Sequence, residues 1–166
     1  MSNRTNQRGF TLLEVLVALV VLSIGLLGIG KLVMVSSRGN DSAYMRSQAT
    51  VLAYSILDAM RANRDQATAG DYNVGTGAYT GAAGCLTSTC DAGALTVSDL
   101  ANWKTALQTL PSGDGTVTTA TVTGADGQPR TTATITVQWN DWVAQGSFSG
   151  ASSANSTVRI TLETIL

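Results

Sequence analysis

The chain has 166 residues, enough for one compact domain but not for a second catalytic module, with 44% hydrophobic and 13% charged side chains and no histidine. Without histidine the commonest general base and the commonest neutral metal ligand are missing, so neither an enzyme nor a cofactor or metal site is expected. The formal net charge is only −1, but after Arg64 three bases face eight acids and leave −5, which suits a nucleic-acid partner poorly.

The first nine residues are polar and carry two positive charges, Arg4 and Arg8. From Phe10 to Gly30 run 21 residues whose sole charge is Glu14. As a helix rising about 1.5 Å per residue they span roughly 30 Å, enough to cross a bilayer. The leading charges favour a cytoplasmic N-terminus, a bias blurred by Lys31 and Arg38 on the far side. A carboxylate inside a membrane span costs on the order of 3 kcal/mol and usually marks function. Glu14 is therefore a candidate assembly residue, and Phe10, four residues earlier, lies one turn away on the same face. Gly25, Gly28 and Gly30 suit close helix packing or are ordinary membrane-helix glycines.

The run Arg8-Gly9-Phe10-Thr11-Leu12-Leu13-Glu14 resembles the signature of type IV prepilins. The resemblance implies that a prepilin peptidase cuts between Gly9 and Phe10 and methylates the new terminal amine of Phe10. It also implies a partner for Glu14, the Phe10 amine of a neighbouring filament subunit. An ordinary secretory signal is cut after its apolar run, whereas this site precedes the run and leaves it on the mature chain. Glycine suits the cut bond because, lacking Cβ, it lets an enzyme approach the backbone.

Beyond Lys31 the period becomes amphipathic. Met45, Leu52, Ile56 and Met60 recur at helical spacing, with Ala49 and Ala53 in the same stripe. Arg46, Gln48, Asp58 and Arg61 form a solvated face. An unbroken helix from Phe10 to Asn63 would be roughly 80 Å long, weakest at Gly39 and Asn40. The stretch from Ser42 through Arg64 resembles the PilV-type minor pilins, also called type IV pilus modification proteins. Further matches are Cys90, Asp99-Leu100-Ala101-Asn102-Trp103, Leu110-Pro111-Ser112-Gly113 and Val137-Gln138-Trp139.

From Asp65 to about Thr96 no period is sustained, and irregular loop with a short turn of helix is expected, stapled by a Cys85–Cys90 disulfide in preference to redox or metal chemistry. Leu100, Trp103, Leu107 and Leu110 predict a short helix capped by Ser98 and stopped by Pro111. Ala133 to Trp139 and Val158 to Leu162 alternate apolar with polar residues and predict strands. Thr116 to Thr123 is a third, joined to the next by the turn Gly124-Ala125-Asp126-Gly127. Trp103, Trp139 and Trp142 are expected in the core or at its rim.

The expected fold is α+β and pilin-like: a long N-terminal helix, membrane-spanning in its first half, and a small head with a short helix and an antiparallel sheet. The expected organisation is a leader over 1–9, a transmembrane and assembly helix over 10–30, its amphipathic continuation over 31–64, and a periplasmic or extracellular head over 65–166. The resemblance implies a minor pilin, first in the inner membrane and then in the pilus. Its implied partners are prepilin peptidase, the major pilin, other minor pilins, the inner-membrane assembly machinery and membrane lipid. Alternatives are a type II secretion pseudopilin, an adhesin or DNA receptor displayed on a pilus, and an ordinary single-pass anchor.

Overall fold

The computed structural model describes residues 9–82, 84–85, 89–141 and 157–166. Their elements in chain order are α1 (Leu12–Ala62), α2 (Arg64–Ala69), α3 (Ala92–Leu107), β1 (Asp114–Thr123), β2 (Pro129–Asn140) and β3 (Thr157–Ile165). The fold is α+β, a long apolar-to-amphipathic helix followed by a head with a short helix and a three-stranded antiparallel sheet in the order β1-β2-β3. The chain divides into two compact units, Met1–Asn40 and Asp41–Leu166.

In the first unit every described residue is exposed. Eighteen large apolar side chains between Phe10 and Val35 lie open, far more than a soluble monomer tolerates, so this stretch needs lipid or other helices around it. By length and composition α1 is able to cross a membrane. A Cβ placed on Gly25, Gly28 or Gly30 would meet nothing within 4 Å, so no packing inside the chain requires their smallness. Helical structure runs without a break through Gly39 and Asn40.

In the second unit α1 buries Ala49, Ala53, Ile56, Leu57 and Met60 in one cluster with Leu100, Trp103 and Leu107 of α3 and Val117, Ile135, Val137 and Trp139 of the sheet. This is the predicted stripe with Leu57 added. Two hydrogen bonds fix the direction of α1 across the sheet. Ser42 Oγ donates to Asp141 Oδ2 (2.6 Å) just beyond the end of β2, and Arg64 Nη2 donates to the Leu166 carbonyl (2.7 Å) just beyond the end of β3. Leu166 in turn donates its N–H to Thr131 near the start of β2 (2.9 Å). The helix from 42 to 64 and the strand from 131 to 141 each cover roughly 33 Å, at about 1.5 and 3.3 Å per residue. This part of α1 therefore lies along the strands, antiparallel to β2 and parallel to β3.

Asn63 ends α1 by leaving helical geometry (φ −119°, ψ 55°). Its amide donates to the Ala92 carbonyl (2.8 Å) and Thr96 Oγ1 (3.1 Å), tying the end of α1 to the start of α3. Tyr72 packs beside it, fully buried, and donates its hydroxyl to Asp99 Oδ2 (2.7 Å). Burial, and then this bond to a carboxylate, push the Tyr72 hydroxyl up to about 12.

Within residues 65–96 the expected short turn of helix is most of α2, and the first turn of α3 adds to it. One expectation for the head needs correction. Ser98 is not a cap: it is buried inside α3, and the helix begins at Asp91, whose Oδ1 accepts the Ala94 N–H (2.7 Å). Gly93 in the first turn, with Leu95 and Val97 partly open to solvent, gives that turn no apolar period to detect. Trp103 and Trp139 are core residues, whereas Trp142 lies outside the described residues.

At the end of α3 the chain turns sharply through Ser112 (φ +51°) into β1. A Cβ on Gly113 would sit 2.0 Å from the Leu107 carbonyl oxygen, a backbone atom that cannot swing aside. Gly113→Ala is predicted to destabilise the head by about 2–3 kcal/mol through overpacking, lowering its thermal midpoint by on the order of 10 °C. Circular dichroism melts of the full chain in detergent check this, and an unchanged midpoint would refute it.

Candidate processing and assembly site

The chemistry at the N-terminal segment follows from where helix α1 starts. Thr11 is its cap: Thr11 Oγ1 accepts the Glu14 N–H (3.3 Å), and the Thr11 carbonyl accepts from Glu14 (3.1 Å) and Val15 (3.3 Å). With Thr11 as cap, Leu12 is the first helical residue, and the Gly9–Phe10 bond lies upstream of the helix. Both residues are exposed, Phe10 to 84%, and a Cβ on Gly9 would meet nothing within 4 Å. A scissile peptide must be accessible and free to leave helical geometry, and this one satisfies both conditions.

Thr11-Leu12-Leu13-Glu14 has the residues of a capping box, in which the threonine accepts from the third helical residue and the glutamate reaches back to the cap N–H. Only the threonine half is made here. The Glu14 carboxylate has no hydrogen bond or ion pair among the described residues, although its place in the first turn suits the positive end of the helix dipole. Phe10 and Glu14 line one shallow recess on the helix with Val15, Ala18, Leu19 and Leu22. The sequence-predicted pair thus shares one face, and the acid on it is uncompensated from within that face.

Such an arrangement supports two steps. Cleavage before Phe10 would release an α-amine one turn from Glu14, and the two opposite charges would then occupy the same band of an apolar helix. Across two neighbouring helices they would pair at an effective strength of about 4 kcal/mol at 4 Å for a dielectric near 20.

Cys85 and Cys90, the other predicted site residues, are joined by a disulfide with Cα atoms 5.6 Å apart, immediately before the cap of α3. They lie in the second unit and take no part in the N-terminal site. Thr11 is a helix cap that sequence reasoning missed, although the spacing of threonine and glutamate announces it. A second missed feature is Lys104, 7% exposed. Its ammonium donates to Asp114 Oδ1 (2.7 Å) and to the carbonyls of Gly75 (2.7 Å), Gly77 (3.2 Å) and Gly115 (2.7 Å). It binds a loop, a helix and a strand of the head together.

Searches among curated proteins and among solved structures returned no match. Residues 4–30 match the family model described as the prokaryotic N-terminal methylation motif, which spans Gly9, Phe10 and Glu14. This motif indicates a type IV pilin-like or pseudopilin precursor and implies processing by a prepilin peptidase; together with the apolar half of α1 it fits membrane anchoring.

Proposed function

We propose that the chain is a minor pilin of a type IV pilus. It waits in the inner membrane with its head in the periplasm, is cut before Phe10, is methylated there, and enters the filament at or near the tip to support assembly, motility or attachment. The observation that carries the reading is the Glu14 carboxylate, without a partner among the described residues and on the same face as Phe10, in a segment, residues 10–35, whose large apolar side chains are all open to neighbours. A subunit of this kind is incomplete until another subunit supplies the amine. The chain is then a substrate of the processing enzyme, with a structural task of its own.

The minor-pilin assignment, as against a type II secretion pseudopilin, is supported by the PilV-type resemblance along α1 and through the head. The acidic head makes nucleic acid an unfavourable ligand. Mass spectrometry of the chain from cells with an active prepilin peptidase should find a terminus at Phe10 bearing one methyl group. A terminus at Met1 would overturn the reading. Deletion of the gene should reduce surface piliation, and intact pili with lost protein secretion would instead assign the chain to a secretion system.

A further inference from the structure

The head carries an open recess of about 470 Å³ between one face of α3 and the loop of residues 77–81, a size within the range of small-ligand sites. Its floor is the bonded pair Lys104 and Asp114. The loop is tied to that floor, since the Gly77 N–H donates to Asp114 Oδ2 (2.7 Å) and the Gly77 carbonyl accepts from Lys104 (3.2 Å). The half-buried Tyr79 ring forms the loop's wall and is set by Gly81, where even a Cβ would run into the ring and into Val97. Thr105 and Gln108 stand opposite on α3, and Ser112 closes the end. Ser112 is held at φ +51°, a strained conformation for a residue with a Cβ and one that gathers at ligand sites.

The charges of the recess cancel. The Lys104 ammonium is fully engaged by Asp114 and three carbonyls. The Asp114 carboxylate accepts from Lys104, Gly77 and Gly115, which leaves Oδ2 room for one more donor. The Tyr79 hydroxyl, the Gln108 amide and the Ser112 hydroxyl make no hydrogen bond among the described residues, and each both donates and accepts. A matching ligand is neutral, offers donors and acceptors around its rim, and has an apolar face to set against an aromatic ring. A hexose has all three properties. An extended peptide would need free backbone groups along a strand edge, whereas the carbonyls of Gly75, Gly77 and Gly115 beside the recess are already taken by Lys104.

We propose that this recess binds a neutral hexose unit of a glycan. Tyr79 is the apolar wall for the sugar ring, Gln108 and Ser112 bond its hydroxyls, and Asp114 Oδ2 accepts one hydroxyl hydrogen. The site goes beyond the filament reading and rests on the head alone, so it stands or falls independently of Phe10 and Glu14.

The test uses the full chain in a detergent without a sugar headgroup, with the methyl glycosides of glucose, galactose and mannose as probes. Saturation-transfer NMR should show saturable binding of at least one of them. Tyr79→Ala should weaken it about tenfold, and Gln108→Ala about three- to tenfold, with circular dichroism unchanged. Ser112→Gly separates binding from folding. Glycine adopts this φ without strain, so the variant should keep or raise its thermal midpoint while binding the glycoside about three- to tenfold more weakly. Absence of saturable binding of all three glycosides would overturn the proposal. So would binding that Tyr79→Ala, Gln108→Ala and Ser112→Gly all leave unchanged, since the sugar would then sit elsewhere. Tighter binding of N-acetylneuraminic acid, of glucosamine or of a neutral blocked tripeptide than of any glycoside would overturn the assignment to a neutral hexose.

Discussion

Glu14→Ala chains should be cut and methylated at Phe10 as efficiently as the natural chain and yet be lost from filaments. On the proposed reading cleavage falls at the Gly9–Phe10 bond, which lies before the helix. Incorporation depends on what the carboxylate meets. A mature Phe10 amine drawn among apolar helices without an opposing charge is a buried uncompensated ion, and breaking such a pair costs about 3–5 kcal/mol. At about 1.4 kcal/mol per tenfold this corresponds to a loss of roughly a hundredfold or more in occupancy. Glu14→Gln should fall between the two, since its amide can still accept one hydrogen bond from the amine. Sheared filaments probed for the chain give incorporation, and mass spectrometry of the membrane fraction gives processing. Normal incorporation of Glu14→Ala would show that the acid is a tolerated passenger in the helix.

The largest expected effect on the head comes from Lys104→Met. Methionine fills nearly the same space, but it leaves the Asp114 carboxylate and the carbonyls of Gly75, Gly77 and Gly115 without their shared donor. Removing one partner of such a pair costs about 3 kcal/mol, toward the lower end of the range because Asp114 is partly reached by water. Asp114 also gives this node a pH dependence. Burial pushes its carboxyl up, but the Lys104 ammonium and the N–H groups of Gly77 and Gly115 outweigh that and leave it below the usual carboxylate range. A depressed carboxylate contributes stability that is fully present above its unfolded value, about 3.9, and is lost as pH falls through the lower folded value. Urea midpoints from pH 7 down to pH 3 should show the natural chain losing this contribution only below about pH 4. In Lys104→Met the midpoint should be low throughout and this acid loss should be smaller, because the ammonium that helps to depress the Asp114 carboxyl is gone. A variant as stable as the natural chain at pH 7 would remove Lys104 from the stabilising core.

The N-terminal half of this molecule is legible in its sequence because its chemistry is local. Phe10 and Glu14 lie one helical turn apart, and an apolar run of membrane length needs no tertiary information to recognise. β2 and β3 are legible for a similar reason, since one buried face imposes a period of two, visible from Ala133 to Trp139 and from Val158 to Leu162. What escaped depends on residues far apart in the chain or on segments too short to show a period. α2 has six residues. Asp91 is recognisable as a cap only once the weak turn after it is known to be helical. Lys104 stands in the sequence as an ordinary exposed cation, because nothing nearby reveals that residues 75, 77 and 115 will close around it. Asn63 resembles a helix-ending residue, but its bonds to Ala92 and Thr96 span about thirty residues of intervening chain.

The course of α1 along the sheet also determines how the head meets mechanical load. The second half of the helix is fastened at both ends, by Ser42 to Asp141 and by Arg64 to Leu166, and it lies along β2 and β3. A pull along this part of α1 therefore acts parallel to the strands, so that whatever load reaches the ladder reaches it in shear. The bonds of the ladder then bear the force together, whereas a pull across the strands would open them one at a time. A head loaded in this direction yields only when many bonds fail at once, as the proposed place in a fibre under tension would require.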